Sequence, residues 1–201
     1  MGKKEISAKL VAELRAKTGA GMMDCKKALE EADGDFAKAE EILRVKYAAK
    51  ADKRAERVAS EGLIESYIHF NGKIGVMVEL GCETDFVART DDFRALAKDL
   101  CLHIASARPM TVNKEQVPAD VVEREKRIFE AQAVEEKKPE AMREKIIQGR
   151  LKKFFEETVL LEQKFIKDDS VAVGDMVKAL AAKTGENVQV RRFARFELGA
   201  D

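Results

Sequence analysis

Residues 74–88 read IGVMVELGCETDFVA, a strand pattern that gives way to the short segment 84–88. Apolar residues alternate over the first seven positions, as in a half-buried β-strand, and a helical pattern begins near Asp91. Phe86 therefore stands beside a carboxylate at a strand-to-helix corner, where proteins often present functional groups. The alternative is that Phe86 packs back into the core and Asp85 only caps a turn.

The strand before this segment is the second arm of a predicted hairpin, residues 62–80, that turns at Asn71-Gly72. A two-residue Asn-Gly loop, the usual type, puts Ile68 on the opposite face from Ile74. A three-residue loop, 70–72, puts both on one face, with Gly72 in the left-handed conformation that such a loop needs. We favour the three-residue loop, which aligns Ile64, Ser66 and Ile68 with Val78, Val76 and Ile74.

Upstream of the hairpin, residues 5–47 predict a small unit of three helices. Ser7 and Asp35 are expected to cap the first and third helices, and Asp24 the second. The apolar positions expected to face its core are Ile6, Leu10, Val11, Leu14, Cys25, Ala28, Leu29, Phe36, Ala39, Ile42 and Leu43. Two adjacent methionines, Met22 and Met23, follow the glycine-containing turn between the first two helices, and we expect at least one to be exposed.

The remaining segments predict an α+β fold. A polar helix or linker covers 48–60, and an amphipathic helix from Phe93 ends at Pro109. Two charged helical patterns within 118–158 predict an antiparallel helical hairpin. A short helix from Gly174-Asp175 then precedes an alternating strand, residues 188–198. In that strand, Arg192 interrupts the apolar face, and a salt bridge at the sheet margin is the simplest account of it.

The amino-acid composition argues against several classes of function for this chain. Hydrophobic residues make up 45% of the 201 residues, and 37 basic side chains balance 37 acidic ones, so no net charge attracts nucleic acid or an anionic membrane. There is no apolar run of membrane-spanning length and no signal-peptide core, and three cysteines without metal-like spacing predict reduced thiols in the cytoplasm. The two histidines lie in no catalytic or zinc motif, so we expect no enzyme, no cofactor and no metal site.

Four motifs, in this order, occur along the chain. They are TGAGMMDCKKAL at 18–29, CETDFVA at 82–88, GRLKKF at 149–154, and GEN at 185–187 followed by RRF at 191–193. Together they give the chain a close resemblance, over nearly its whole length, to the bacterial translation elongation factor Ts family. Any one motif is weak, but the ordered set is highly specific.

The resemblance implies a guanine-nucleotide exchange factor that binds elongation factor Tu, in its GDP-bound and nucleotide-free states, without covalent chemistry. It implies an N-terminal ubiquitin-associated-like domain, 1–55, and an α+β core, 56–201, into which the helical hairpin is inserted. The implied partner-binding residues of the N-terminal domain are Gly19, Ala20, Gly21, Met22, Met23 and Asp24. Those of the core that would disturb the magnesium site of the partner are Thr84, Asp85, Phe86 and Val87. His103 resembles a further contact position.

The chain also departs from longer members of the family, whose core holds two related subdomains, each with a hairpin. Only one such hairpin is predicted here. Either one chain binds with fewer contacts, or two chains pair to rebuild the missing half, and we favour a homodimer. The alternating residues 188–198 would support pairing if they form an exposed edge strand.

Other classes of function fit less of the chain. A peptide-binding adaptor using the Gly-Met-Met turn would leave the segment 84–88 without a role. A nucleic-acid-binding strand with Arg191, Arg192 and Arg195 would lack the aromatic and basic surroundings that such surfaces use. An enzyme using Asp85 with a histidine lacks any recognisable spacing.

Overall fold

The computed structural model combines helices with antiparallel strands and describes residues 6–200, apart from the side chains of 47–53 and 55. The helices are α1 (Ala8–Thr18), α2 (Met22–Glu31), α3 (Phe36–Ala55), α4 (Asp85–Ala88), α5 (Asp91–Ala107), α6 (Ala119–Glu135), α7 (Glu140–Thr158) and α8 (Val173–Thr184). The strands are β1 (Glu61–Ile68), β2 (Ile74–Cys82), β3 (Lys164–Phe165), β4 (Asp168–Ala172) and β5 (Gln189–Glu197). The predicted α+β class is confirmed.

The chain divides into two compact units, each built from three segments. The first comprises Met1–Gly62, Gly81–Phe93 and Val177–Gln189, and the second comprises Leu63–Leu80, Arg94–Met176 and Val190–Asp201. The division into domains 1–55 and 56–201 stays a prediction. Residues 1–5 and 201, and the side chains of 48–53 and 55 in the predicted polar helix or linker 48–60, lie outside the described part of the chain. The backbone of 48–55 belongs to α3.

The first three helices form as their capping residues predict. Ser7 accepts a hydrogen bond from Leu10 N, and Asp35 accepts one from Lys38 N, so both caps are confirmed. The prediction for Asp24 is wrong, because α2 begins earlier, with Gly21 at the capping position, and Asp24 lies inside its first turn. The buried core of this bundle contains Val11, Leu14, Ala20, Cys25, Ala28, Leu29, Ala32, Ala39 and Leu43.

The hairpin register differs from the predicted one. His69 N donates to Ile74 O at 2.9 Å, so four residues, 70–73, separate the paired positions instead of three. Gly72 is left-handed as expected, with φ +68°. Ile68 therefore lies beside Gly75 and is exposed, on the opposite face from Val76, which is buried. One residue of difference in register exchanges the two faces of a strand.

A three-stranded sheet has the order β1-β2-β5. Leu198 N donates to Lys73 O at 2.8 Å, and Arg192 contacts Glu79 at 2.6 Å, so β5 runs antiparallel to β2. The predicted salt bridge of Arg192 is thereby confirmed. The buried side chains of the second unit include Val76, Val78, Leu80, Leu96, Leu100, Ile104 and Val190.

The predicted helical hairpin is confirmed as α6 and α7, which pack against each other. Pro118 and Pro139 precede the two helices, at positions where a missing N–H costs nothing. Arg150 on α7 donates to Gln132 and Glu136 of the first arm, at 2.9 and 2.7 Å, and so joins the two arms.

Two glycines allow a test of packing in the second unit. A Cβ at Gly174 would lie 2.7 Å from the backbone oxygen of Leu161, whereas a Cβ at Gly149, inside α7, would meet nothing within 4 Å. We expect Gly174→Ala to lower the free energy of unfolding by about 1–3 kcal/mol, because the backbone must shift. We expect Gly149→Ala, its control, to raise it by roughly 0.5–1 kcal/mol. Urea unfolding measures both, and equal effects would contradict this packing.

Candidate functional site

Residues Thr84 to Ala88 form a single helical turn directly after β2. Thr84 is extended, and its hydroxyl oxygen accepts a hydrogen bond from Val87 N, which makes it the capping residue of α4. Asp85, the first helical residue, forms an ion pair with Arg89 at 2.8 Å. The alternative that Asp85 caps the turn is therefore wrong.

Phe86 is the outermost side chain of this turn and is 80% exposed. Ala88, at the end of the same turn, is buried, and Val87 is half-buried. The alternative that Phe86 plugs the core is wrong, because the turn directs Ala88 inward instead. Single exposed apolar side chains are common, and Phe70 is exposed as well, so the exposure of Phe86 is informative only together with the way its turn is held.

The turn is held by residues from a distant part of the first unit. Glu186, in the loop before β5, accepts hydrogen bonds from Glu83 N and Thr84 N, both at 3.1 Å, and from the Thr84 hydroxyl at 2.6 Å. In return, the Glu83 carboxylate accepts a hydrogen bond from Asn187 N at 2.6 Å. The sequence identified Gly185-Glu186-Asn187 only as part of a motif and did not predict this contact.

A buried thiol also contacts the turn. Cys82 Sγ donates to the backbone oxygen of Thr84 at 3.1 Å. Burial, with the nearby Glu186 carboxylate as a smaller cause, raises the pKa of Cys82 to about 11. The thiol thus keeps its proton at neutral pH and acts as a hydrogen-bond donor, not as a nucleophile.

The second candidate segment, Gly19 to Asp24, joins α1 to α2. Gly19 adopts a left-handed conformation, with φ +67°, and ends α1. Met22 and Met23 are 48% and 62% exposed, so the prediction that at least one is exposed is confirmed. Ala20, by contrast, is buried in the three-helix core and offers no side-chain surface. The exposed residues of this segment are Gly19, Gly21, Met22 and Met23, and Asp24 is half-buried.

His103 does not fit the contact that the resemblance implied, because its side chain is completely buried. Its Nδ1 accepts a hydrogen bond from Ile166 N at 3.3 Å, so Nε2 carries the proton and donates to Gln163 at 2.9 Å. Burial lowers the pKa of this imidazole, which is therefore neutral at pH 7. We assign His103 a structural role inside the second unit.

One face of the three-stranded sheet is apolar and uncovered in the single chain. Ile64, Ile68, Met77, Phe196 and Leu198 are all exposed on it. The register places Ile68 and Phe196 on either side of Gly75, and the Ile68 side chain packs over the glycine, with its Cδ1 3.1 Å from where a Cβ would lie. The charged pair of Glu79 and Arg192 at the end of this face is satisfied within the chain.

Among the residues whose side chains the structure describes, 6–46, 54 and 56–200, no group of three or more His, Cys, Asp or Glu could hold a metal ion. In the same part of the chain, no helix has the length and apolarity needed to cross a membrane.

The fold and the site define an α+β protein with a three-helix N-terminal bundle and an exposed aromatic side chain on an anchored turn. Comparison with known protein families places the chain among the translation elongation factors. A family model described as "Elongation factor TS" matches residues 5–200, and the chain belongs to that family.

Relatives agree over nearly the full length. The chain is 59% identical over 195 residues to the elongation factor Ts of Anaeromyxobacter sp. (strain Fw109-5), covering 97% of this chain and 89% of the relative. It is 57% identical to that of Fervidobacterium nodosum, covering 97% and 99%. For Syntrophus aciditrophicus the identity is 53%, with 98% of each chain covered. The sequence resemblance to the elongation factor Ts family is confirmed.

Proposed function

We propose that this protein is a guanine-nucleotide exchange factor that binds elongation factor Tu in the cytoplasm and promotes the release of GDP during translation. The observation that carries this proposal is the exposure of Phe86 on a turn whose backbone is held in place. Membership in the elongation factor Ts family supports it independently. The partner would be bound both with GDP and without nucleotide, and no direct contact with nucleic acid or a membrane is needed.

The mechanism rests on binding and requires no covalent chemistry. Tight nucleotide binding in such partners depends on Mg²⁺ between phosphate oxygens and protein oxygens. Phe86, inserted between elements of the partner, would displace the ligands of that ion, while Asp85 would change the local electrostatic field. Because coupling between two binding events is reciprocal, a protein that weakens nucleotide binding is itself bound less tightly when nucleotide is present.

The energy required is within reach of one side chain. Each tenfold loss of nucleotide affinity corresponds to about 1.4 kcal/mol. An aromatic residue buried at the centre of an interface commonly contributes about 2–4 kcal/mol. Phe86 alone can therefore account for a loss of about two orders of magnitude in nucleotide affinity.

The direct test is the release of a fluorescent guanine nucleotide from purified elongation factor Tu, with and without this protein. With excess unlabelled GDP present to prevent rebinding of the label, we expect release to accelerate with the concentration of the protein. An unchanged release rate, with both proteins folded and the partner fully loaded, would refute the exchange function. The peptide-binding adaptor would then be the leading alternative, since the exposed Met22 and Met23 would still need a ligand.

We also propose that two chains pair through the exposed face of the sheet. This face is apolar, and its Glu79–Arg192 pair is already satisfied, so it has no charge that selects a charged partner. A second copy related by a twofold axis would present the same apolar residues to it. The contact differs from the edge-strand pairing that the sequence suggested, because it would use the exposed side chains on the face of the sheet, such as Phe196 of β5, and not the backbone of an edge strand.

A charge on this face tests the pairing. We expect Phe196→Asp to weaken self-association at least about tenfold, since a carboxylate would be buried against apolar side chains. Val134→Asp, at an exposed apolar position of α6, is the matched control and should leave association unchanged. Analytical ultracentrifugation at micromolar concentration distinguishes the species. A monomeric wild type, or a Phe196→Asp variant that still pairs, would rule out this interface.

A further inference from the structure

We infer that Glu186 is a positioning residue for exchange, because its carboxylate holds the backbone of the 84–88 turn in the conformation that presents Phe86. This inference rests on the proposed exchange function and extends it to a residue 102 positions away from Thr84 in sequence. All the contacts that carry it lie within the first unit.

The carboxylate of Glu186 uses both of its oxygens on the start of the turn. Oε2 accepts from two successive backbone N–H groups, those of Glu83 and Thr84, at 3.1 Å each. Oε1 accepts the hydroxyl proton of Thr84 at 2.6 Å. With its proton directed at Glu186, the Thr84 hydroxyl has lone pairs left for Val87 N, the donor that it caps at 3.5 Å. Glu186 thus acts on the turn through Thr84 as well as directly.

A carboxylate on the other side, that of Glu83, binds the loop that carries Glu186. Glu83 accepts a hydrogen bond from Asn187 N at 2.6 Å, and the Asn187 side-chain amide donates to Arg57 O at 2.7 Å. The segment before α4 and the loop before β5 are therefore joined by carboxylates from both sides. Hydrogen bonds that involve a charged group are the stronger kind.

The turn needs such an anchor because it is too short to be stable by itself. A helix of one turn gains too few hydrogen bonds to offset the cost of its nucleation. Phe86 adds little to the stability of this turn, because the residue is 80% exposed and so makes few packing contacts. A turn that is ordered before binding avoids the entropy cost of ordering it in the complex, and this improves affinity.

The test separates affinity from the maximal rate of exchange. We expect Glu186→Ala to raise the concentration of this protein that gives half-maximal nucleotide release by about tenfold, because the turn must then be ordered on binding. We expect the maximal rate to stay within about twofold, since Phe86 is still present in the assembled complex. Glu186→Gln should recover most of the affinity, because its amide oxygen accepts both N–H bonds and its NH₂ group donates to the Thr84 hydroxyl.

A second readout needs no partner. In the free protein, the backbone amides of residues 84–88 should exchange with deuterium faster in Glu186→Ala than in wild type or in Glu186→Gln. Asp168→Ala is the matched control, because Asp168 also accepts from a backbone N–H and a hydroxyl, those of Ser170, but in the second unit. It should change neither the amide exchange of 84–88 nor the half-maximal concentration.

The outcomes separate this inference from the function on which it rests. Unchanged amide exchange at 84–88 in a folded Glu186→Ala protein overturns the positioning role, whatever the nucleotide assay gives. Normal affinity of that variant, with Phe86→Ala impaired, also overturns it and leaves the exchange function standing. If wild type does not accelerate release at all, the exchange function fails, and the inference that Glu186 positions exchange fails with it. Faster amide exchange would then show only that Glu186 orders the turn.

Discussion

Phe86→Ala is expected to reduce the stimulation of nucleotide release by about 100-fold at saturating concentration, while leaving the fold intact. The side chain is 80% exposed, so its loss removes little packing from the free protein. What it removes is the apolar body that would enter the partner and displace the ligands of its magnesium ion. The loss should therefore appear in the maximal rate, and a rapid-mixing assay with fluorescent GDP measures it.

The control for this prediction is another exposed phenylalanine. Phe70 lies in the hairpin loop, and most of its surface is in water, so Phe70→Ala makes the same chemical change elsewhere. The Phe70→Ala variant should stimulate nucleotide release from the partner as strongly as wild type does. Normal stimulation by Phe86→Ala, with its circular dichroism unchanged, would rule out the aromatic wedge.

Magnesium provides a second check of the same mechanism. If Phe86 acts by disturbing the magnesium site, removing the ion with a chelator should by itself speed nucleotide release from the partner. Wild type and Phe86→Ala should then differ much less than they do in excess Mg²⁺. A difference of equal size under both conditions would mean that Phe86 acts on another part of the nucleotide site.

Local patterns predicted most of the helices of this protein, but not the single helical turn α4. Apolar spacing located α1–α3, α5 and the α6–α7 hairpin, and Ser7 and Asp35 identified two helix starts. The error at Asp24 has a simple cause. A glycine with extended backbone occupied the capping position, and glycine leaves no side-chain signal there.

The hairpin register could not be obtained in the same way. Both faces of β1 carry large side chains, Leu63 and Tyr67 on one and Ile64 and Ile68 on the other. A choice based on burying the isoleucines was therefore wrong, since that face is exposed in the single chain. Hydrophobic alternation specifies a register only when one face is clearly polar, and this sheet is apolar on both.

The candidate site was predictable in part. The position of Phe86 followed from a strand pattern that stops just before a helical one. Its anchor did not follow, because Glu186 and Thr84 are joined by hydrogen bonds across 102 residues, and local periodicity contains no information on such contacts. The burial of His103 was missed for a related reason, since its partners Gln163 and Ile166 come from a segment 60 or more residues further along.

Met23→Glu is expected to weaken binding to the partner by about 100-fold in half-maximal concentration, because a carboxylate would be buried in an apolar contact. Met23 is 62% exposed at the start of α2, and a flexible thioether side chain is well suited to filling a partner's apolar surface. Met23 is the better residue to substitute, because Met22 also lines a groove of about 630 Å³ with Gly19 and Ala182, and a change there would alter the groove as well. The maximal rate of nucleotide release should be unchanged, because Phe86 remains intact.

The matched control lies in the same three-helix bundle. Val45 is an exposed apolar residue of α3, outside the Gly19–Asp24 segment, and Val45→Glu should bind the partner like wild type. Titration of each variant into labelled partner gives the affinity and the maximal rate together. A fall in maximal rate for Met23→Glu would mean that the N-terminal bundle takes part in displacing the nucleotide. Equal affinities for both variants and wild type would mean that this turn does not bind the partner. The expected result is a lower affinity for the partner with an unchanged maximal rate of nucleotide release. It would mean that Met23 contributes to binding the partner, whereas Phe86 disturbs the nucleotide site.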